Sequence, residues 1–397
     1  MNLLFYGWGA NNEQDLIDAL TELPGVTLFT YKKELTDYHA DSEAAYAIVQ
    51  LIHKHGIDGL ISYDYYPLPS MLCELNHIPY ISWVYDCPQY GTYSKTITNS
   101  CNHVFNFDRI FAGRLSEYGC PHSIYFPLCS GARIAKAAKR HIGEEKYRAD
   151  ISLVGGLYIE GKNRIRAGLL EGRFSERTKG FLNGIMAAQE KVYGYNFLRE
   201  VLDETLVEEI TEVCELKLSD MYIQDPLGLA ADAVGMEVSA RERIDALDIL
   251  SEGLDVDLYT YSELPERLRE KKRIRLRGTV SYADGMPAVF ANSRINLNIT
   301  SKTIEHGIPL RVMDILASGG FCLTNYQQGV AELFEDGEEL VMYTSMEDLY
   351  RKADYYLKHE EERAMIAKKG HEKVMAQFLP EKQLPVLLEK VFPEGIL

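Results

Sequence analysis

Residues 294–325 read RINLNITSKTIEHGIPLRVMDILASGGFCLTN, and this stretch carries the clearest fold signal in the chain. Its pattern predicts a buried strand over 295–299, a polar loop over 300–309, a helix over 310–317 and a further strand over 321–324. A strand, a helix and a second strand at this spacing indicate a parallel β-α-β unit.

The polar residues of this unit suit an anionic ligand. Lys302 and Arg311 are cations, and the start of the predicted helix offers backbone N–H groups, so together they suit a phosphate. Arg311 and Asp314 lie three positions apart and can face the same loop, where a carboxylate suits two ribose hydroxyls. An Arg311–Asp314 surface ion pair is the plainer alternative. Asn296 and Asn298 favour a site, since amides in a buried strand need partners.

The same alternation runs through most of the chain. In the N-terminal third, strands are predicted at 2–6, 26–31, 59–63, 79–85, 103–108 and 123–126, with helices at 13–23, 44–55, 70–76 and 112–118. A polar, basic linker is predicted at 127–148. A second series of strands follows at 150–154, 256–259, 274–276, 295–299, 321–324 and 340–343, interrupted by a mostly helical stretch at 167–253. The pattern predicts an α/β protein of two doubly wound, Rossmann-like domains facing a cleft, with a helical insertion in the second.

Composition narrows the function classes. The chain has 397 residues, which favours two domains, and a net charge of −17. Residues 167–253 hold 8 basic and 18 acidic side chains, so most of the excess lies in the insertion. This acidity argues against a nucleic-acid or anionic-lipid surface but not against a small anionic ligand. The sequence predicts neither a signal peptide nor a membrane span, and its seven cysteines without a CxxC pair favour reduced thiols in a cytoplasm.

Two glycine-rich turns follow predicted strands. Gly7, Trp8 and Gly9 could direct backbone N–H groups at an anion, but position 12 is an asparagine, so the dinucleotide fingerprint is incomplete. A tight strand-to-helix turn is the alternative. Gly155 and Gly156 are the stronger candidate.

Cations follow this second turn within one loop, namely Lys162, Arg164 and Arg166. Backbone donors and cations together can hold a diphosphate. A solvated, basic helix start is the alternative.

Polar and aromatic residues also follow strands of the N-terminal domain. Asp64 and Tyr65 come after the third strand, and Asp86 after the fourth, at the edge where ligands bind in open parallel sheets. A carboxylate there could orient or deprotonate an acceptor hydroxyl, or form an Asx turn with Pro88. Asp108 could equally cap a helix. The histidines lack HxxxH and HExxH spacing, so no metal site is predicted.

Residues 307–321 resemble the nucleotide-sugar motif of CgeB-like glycosyltransferases, a family related to spore maturation proteins and to the wider GT-B group. Similar segments include residues 7–20, 83–88, 153–164, 189–194 and 343–349. On this template Asp314 matches the glutamate that contacts the donor ribose, and His306, Gly307 and Ile308 match the loop around the donor sugar and phosphate. His306 stands where the family has its first glutamate.

The resemblance implies that the two domains bind different substrates. Residues 1–140 are expected to bind the acceptor, residues 141–378 the nucleotide-sugar, and residues 379–397 to form a helix that packs back on the N-terminal domain. Two residues are expected at the reacting centre, Asp86 and His306. The expected donor contacts are Gly155, Gly156, Lys162, Arg164, Tyr282, Asn298, Ser301, Lys302, Gly307, Ile308, Arg311 and Asp314. The expected acceptor-side residues are Gly7, Trp8, Gly9, Asp64 and Tyr65.

The expected function is transfer of a sugar from a nucleotide-sugar, with a UDP-sugar favoured, to a protein, glycan or small-molecule acceptor. A bacterial, cytoplasmic, metal-independent enzyme without a tightly bound cofactor is expected, and the helical insertion is a candidate homodimer surface. Retention or inversion of the anomeric configuration stays open. The alternatives are a non-catalytic nucleotide-sugar-binding partner of another glycosyltransferase, which His306 favours, and a nicotinamide-dependent oxidoreductase, which the incomplete glycine pattern disfavours.

Overall fold

The computed structural model describes residues 1–161 and 163–393, and these form two compact units. The first unit comprises Met1–Arg133, Leu218–Gln224 and the chain from Val374 onward, and the second comprises Ile134–Lys217 and Asp225–Lys373. The boundary expected at residue 140 therefore falls a few residues earlier, and the first unit takes in a short segment of the expected insertion.

A six-stranded parallel sheet forms the centre of the first unit. Its strands are β1 (Asn2–Gly7), β2 (Thr27–Lys32), β3 (Gly59–Tyr63), β4 (Tyr80–Val84), β5 (Asn102–Asn106) and β6 (His122–Tyr125), in the spatial order β2-β1-β3-β4-β5-β6. Its helices are α1 (Glu13–Glu22), α2 (Ser42–His55), α3 (Pro67–Asn76) and α4 (Arg109–Glu117). The inner strands β3 and β4 are buried throughout, as expected for a parallel sheet covered on both faces.

Capping residues fix several helix starts in this unit. Asp41 accepts the backbone N–H of Ala44 at 3.0 Å at the start of α2. Asp108 accepts the N–H groups of Ile110 and Phe111 at 2.9 and 3.1 Å, so it caps α4. The capping interpretation of Asp108 is confirmed.

The second unit also contains a six-stranded parallel sheet. Its strands are β7 (Ala149–Val154), β8 (Val256–Tyr259), β9 (Ile274–Gly278), β10 (Ser293–Asn298), β11 (Cys322–Asn325) and β12 (Val341–Tyr343), in the order β12-β11-β10-β7-β8-β9. The helices are α5 (Ala132–Arg140), α6 (Arg164–Leu170), α7 (Glu176–Gln189), α8 (Leu198–Val201), α9 (Glu204–Val213), α10 (Pro226–Leu250), α11 (Glu266–Arg269), α12 (Gly285–Asn292), α13 (Leu310–Ala317), α14 (Gln328–Leu333), α15 (Met346–Lys358) and α16 (Glu360–Gln377).

The predicted linker at 127–148 is wrong for its central residues, because α5 lies within it. Four residues of α5 are buried, namely Ile134, Ala135, Ala137 and Ala138. The sequence ARIAKAAKR conceals this stripe, since small alanines give a low hydropathy next to long basic side chains.

The helical stretch at 167–253 has two roles. Helices α6 to α9 and the first half of α10 enclose a small core of their own, which includes Leu182, Leu206 and Val234. The second half of α10 packs on the sheet through Ala246, Leu247 and Leu250. That half therefore serves as the helix that connects the parallel strands β7 and β8. The helices before it are an addition to this β-α-β unit.

The chain ends with helix α17 (Pro380–Val391), which contacts α1 in the first unit. Its buried residues include Leu384, Leu387 and Leu388. None of the helices in the ranges 1–161 and 163–393 is long and apolar enough to span a membrane.

Candidate active site

The second glycine-rich turn uses its two glycines in different ways. Gly155, directly after β7, has a φ of +149° and donates its N–H to the carbonyl of Tyr259 at 2.9 Å. A Cβ at Gly156 would lie 2.7 Å from the hydroxyl oxygen of Tyr261. Glycine thus lets the loops that follow β7 and β8 approach closely at the carboxyl edge of the sheet.

Arg243 of α10 joins two loops at this edge. Its guanidinium donates to the carbonyls of Gly156 and Ile299, both at 2.7 Å, and lies 4.1 Å from the ring centre of Tyr158. The residue is only 7% exposed. Two charge-assisted hydrogen bonds in a buried setting fix the loops after β7 and β10 relative to each other. Arg243 was not among the sequence candidates.

Lys302 lies in the loop after β10 and is buried. Its ammonium nitrogen is 3.3 Å from Oε2 of Glu242, which has no exposed surface, and 4.6 Å from the ring centre of Tyr193. The backbone N–H of Lys302 donates to Ser239 at 2.8 Å, and the hydroxyl of Ser301 lies 3.1 Å from that of Ser239. The charge predicted to meet a phosphate is therefore held against a carboxylate of α10.

The two strand asparagines are satisfied within the protein. Asn298 donates from Nδ2 to Thr300 and Thr324, at 3.0 and 2.8 Å. Asn296 accepts from Ser152 at 2.9 Å and donates to the carbonyl of Phe290 at 3.0 Å. Their burial therefore has a structural explanation and does not by itself argue for a ligand.

The start of α13 brings three predicted residues together. Asp314 is 1% exposed and accepts a hydrogen bond from the hydroxyl of Tyr282 at 3.3 Å. Arg311, one turn earlier, contacts the sulfur of Met286 and lies 5.7 Å from the ring centre of Phe290. The phenol of Tyr282 thus contacts the carboxylate of Asp314, and the guanidinium of Arg311 lies one turn earlier on the same helix as that carboxylate.

The loop before α13 packs beside α14. Nε2 of His306 lies 3.0 Å from Oε1 of Glu332, and His306 is 5% exposed. A Cβ at Gly329 would lie 2.5 Å from the carbonyl oxygen of His306, so glycine allows α14 to approach this loop. Gly307 and Ile308 are buried in the same loop. His306 is thus paired with the acidic side chain of Glu332.

Of the cations predicted after the second turn, Arg164 does not join this group. Arg164 donates to the carbonyls of Cys214 and Glu215, at 2.7 and 2.8 Å, at the end of α9. Lys162 lies outside the described residues. Arg164 therefore links α6 to α9 in the additional helices.

In the first unit, a carboxylate of the chain occupies the first glycine-rich turn. Oε1 of Glu13 accepts the backbone N–H groups of Trp8, Gly9 and Ala10, at 2.7, 2.8 and 3.0 Å. Glu13 is 2% exposed. The backbone donors that could have faced an external anion are therefore used internally, and the tight-turn interpretation is supported.

Asp64 and Asp86 form a carboxyl pair after β3 and β4. Asp64 adopts a left-handed backbone with φ +57°, is 1% exposed, and accepts the N–H groups of Tyr85 and Asp86 at 3.0 and 3.1 Å. Burial, and then the negative charge of Asp86, raise the pKa of Asp64 well above its usual value, and the two carboxyl groups share a side-chain hydrogen bond. In its protonated form Asp64 can donate this hydrogen bond to the carboxylate of Asp86.

Aromatic rings surround this pair. Trp8 stacks on Tyr85 with ring centres 6.1 Å apart, and Tyr66 meets Tyr38 edge to face at 5.5 Å. Tyr65 points elsewhere: it has no exposed surface, and its hydroxyl lies 2.9 Å from that of Thr96. Trp8 accordingly accompanies the acidic pair, whereas Tyr65 packs in the core.

Comparison with known proteins adds the enzyme class. Residues 241–389 match the family model described as glycosyl transferase-like. The chain therefore carries a glycosyltransferase-like domain, and the predicted enzyme class, a glycosyltransferase, is confirmed at that level. The match includes α13 and the loop before it, and it begins just before Glu242. No curated protein sequence matches the chain.

Solved structures confirm the predicted GT-B fold. Sucrose-phosphate synthase from Thermosynechococcus elongatus aligns over 100% of both chains, with 11% identity and a TM-score of 0.57. A glycosyltransferase from Rickettsia africae ESF-5 aligns over 99% of this chain and 98% of its own, with 12% identity and a TM-score of 0.54. HepE from Anabaena, in complex with UDP and glucose, aligns over 99% and 100%, with 10% identity and a TM-score of 0.52. At this identity the likeness concerns the fold.

Proposed function

We propose that the protein transfers a sugar from a nucleotide-sugar, with a UDP-sugar favoured, to an acceptor hydroxyl. The observation that carries the proposal is the hydrogen bond between Tyr282 and Asp314, with Arg311 one turn earlier on α13, inside the glycosyltransferase-like domain. UDP in a solved structure of the same fold supports the choice of nucleotide. The CgeB-like family remains the finer prediction.

The second unit is proposed to bind the donor. Asp314 accepts hydrogen bonds from the two ribose hydroxyls, in an orientation held by Tyr282. Arg311 and the first backbone N–H groups of α13 stabilise the diphosphate, whose negative charge increases as the sugar leaves. Gly155 and Gly156 let the backbone after β7 approach the donor, and Arg243 keeps that loop in place. These residues supply the charge stabilisation without a metal ion.

Lys302 and His306 belong to the same loop, and we propose a different role for each. The buried contact with Glu242 makes Lys302 an anchor of the loop over 300–309. His306, held by Glu332, is proposed to lie beside the donor sugar.

The first unit is proposed to bind the acceptor. Asp86 is the proposed general base that takes the proton of the acceptor hydroxyl, and Asp64 is a positioning residue that shares a hydrogen bond with it. The rings of Trp8, Tyr38 and Tyr85 offer stacking surfaces for a sugar or another flat acceptor.

Calorimetric titration with UDP tests the donor site. Asp314→Asn keeps the size of the side chain but lowers the charge, and we expect it to weaken UDP binding at least tenfold. Tyr282→Phe should weaken binding several-fold. Asp354→Asn on α15, which removes a carboxylate paired with Lys358, is the matched control and should bind UDP as the wild type does. Unchanged affinity of Asp314→Asn would refute the ribose role.

Turnover separates the enzyme from a binding partner. The protein is incubated with UDP-, GDP- and dTDP-sugars, and released nucleotide is measured. Release from one donor class that is lost in Asp314→Asn supports the proposal. Nucleotide binding without turnover favours the non-catalytic alternative, for which the histidine at position 306 is the specific observation.

A further inference from the structure

A second cavity lies at the opposite edge of the C-terminal sheet. It has a volume of about 330 Å³ and is lined by residues 142–145, by the ends of α12 and α13, and by the first turns of α16. Arg294, at the start of β10, lines it, whereas Asn298 ends that strand near the proposed donor site. Four residue steps along a strand correspond to roughly 13 Å, so the two sites are distinct.

Arg363 provides the decisive feature of this cavity. It is 8% exposed, and one nitrogen of its guanidinium donates to the carbonyl of Tyr356 at 2.5 Å. Among the described residues, no carboxylate lies within 4 Å of this guanidinium. Burial, and then the neighbouring charge of Arg294, lower the pKa of Arg363. The carboxylates of Glu360 and Asp150 oppose this shift, but neither forms an ion pair with Arg363. A buried cation without an ion-pair partner is costly unless an anion reaches it.

Three carboxylates around the cavity are already engaged in ion pairs with other side chains. Asp150 pairs with Arg294 at 3.1 Å, and Glu145 pairs with Arg148 at 2.7 Å. Glu144 contacts His141 and Lys146, at 2.6 and 3.1 Å. These ion pairs leave Arg363 as the cation that lacks a close acidic partner at this edge of the described sheet.

The remaining wall is partly apolar, with Asn292 and Ser293 as further polar lining residues, and the cavity is small enough to select a compact ligand. Phe290, Phe321, Ala364 and Ala367 line it together with the backbone of Gly319 and Gly320. The volume is at the lower end of the range for small-molecule sites. The carbonyls at the end of α13 accept the N–H groups of residues 318–320, at 3.0 Å each, which limits their repulsion of an anion.

We propose that this cavity binds a small organic oxyanion, a carboxylate or phosphate on a compact apolar body, through Arg363 and with Arg294 beside it. The ligand contacts the C-terminal ends of α12 and α13. The same two helices carry Met286 and Arg311 in their first turns. The proposal is independent of the sugar-transfer reaction, since it concerns the other edge of the sheet.

Calorimetric titration tests the site, with phenyl phosphate and benzoate as probes and phenol as the neutral control. Saturating UDP is present throughout, so that the proposed donor site is filled. We expect at least one of the two anions to bind and phenol not to bind. Equal binding of phenol, or no binding of either anion, would overturn the proposal.

Variants locate the binding. Arg363→Met should weaken binding of the anion at least tenfold, whereas Arg351→Met, which removes an exposed arginine of α15, should leave it unchanged. Ala364→Phe fills the cavity while keeping Arg363, and it should abolish binding in a protein that melts like the wild type. If the anion binds both Arg363→Met and Ala364→Phe with wild-type affinity, its site lies elsewhere and the proposal is wrong.

Discussion

The buried ion pair between Lys302 and Glu242 makes a quantitative prediction about the loop after β10. The two charged atoms are 3.3 Å apart, Lys302 is 5% exposed and Glu242 has no exposed surface. Removing one member leaves an uncompensated buried charge, which costs about 3–5 kcal/mol. We therefore expect Lys302→Met to lower the free energy of unfolding of the second unit by about this amount.

The double variant Lys302→Met/Glu242→Gln should recover much of the loss. It removes both charges, and the new amide can still accept the long hydrogen bond from Asn325, which is 3.4 Å. We expect the double variant to lie within about 2 kcal/mol of the wild type, since a buried pair contributes little net stability compared with neutral residues. The coupling energy between the two positions should then be at least about 2 kcal/mol.

The assay must report on the second unit. Both tryptophans, Trp8 and Trp83, belong to the first unit, so intrinsic fluorescence would miss the relevant transition. Scanning calorimetry, together with hydrogen exchange of peptides from β10 and α10, reports on the second unit directly. UDP affinity is measured on the same variants. If the losses of the two single variants simply add, the coupling energy is zero and Lys302 and Glu242 do not stabilise each other. A large loss of UDP affinity in a stable double variant would indicate that Lys302 contacts the diphosphate, as the sequence predicted.

Three further outcomes follow from single residues. Asparagine tolerates the left-handed backbone of position 64 and can still donate a hydrogen bond to Asp86, so Asp64→Asn should keep the fold. It removes the ionisable group that interacts with Asp86, so the pH dependence of kcat/KM should change. An unchanged pH profile in a folded variant would contradict the coupling of the two carboxyl groups. Burial raises the pKa of Asp15 to about 6, so the folded state favours its protonated form, and this contribution to stability is lost as the pH rises from about 4 through 6. Between pH 4.5 and pH 8, the stability of Asp15→Asn relative to the wild type should therefore rise by on the order of 2 kcal/mol, as measured by thermal melts. An equal difference at both pH values would contradict the raised pKa. A Cβ at Gly320 would lie 2.5 Å from Nδ2 of Asn296, so Gly320→Ala should cost about 1–3 kcal/mol in chemical denaturation, and a neutral effect would mean that the amide can move aside.

Local patterns were sufficient for the elements that form the two sheets. The strands predicted at 59–63 and 256–259 and the helix predicted at 310–317 have those bounds in the structure. Buried strands bounded by turn residues and helices with one apolar face carry their signal within ten residues or fewer. The first half of α10 was harder to interpret, because a helix buried on several sides has no polar face to reveal its orientation.

Contacts between distant residues could not be predicted from these patterns. Arg243 was overlooked because a charged residue in a helix is usually exposed, and its partners Gly156 and Ile299 lie 87 and 56 positions away. A signal was nevertheless present for Glu13. An acidic residue in the first turn after a Gly-x-Gly loop can accept that loop's own N–H groups, as N-terminal carboxylates commonly do.

The two glycine-rich turns differ in their electrostatics, although both follow a strand of a six-stranded parallel sheet. This difference explains why we assign the nucleotide to only one of the two units. In the first unit, the three N–H groups at the end of β1 already surround the carboxylate of Glu13. An isolated charge at about 4 Å would repel a diphosphate by about 4 kcal/mol at the effective dielectric of a protein surface. Lys32, whose ammonium lies 3.4 Å from Oε2 of Glu13, reduces this repulsion, but the three N–H groups stay occupied. In the second unit, the corresponding loop is held by the positively charged guanidinium of Arg243. This charge does not repel an anion. The electrostatics of each turn, taken separately, therefore oppose a nucleotide at the β1 turn and permit one at the β7 turn.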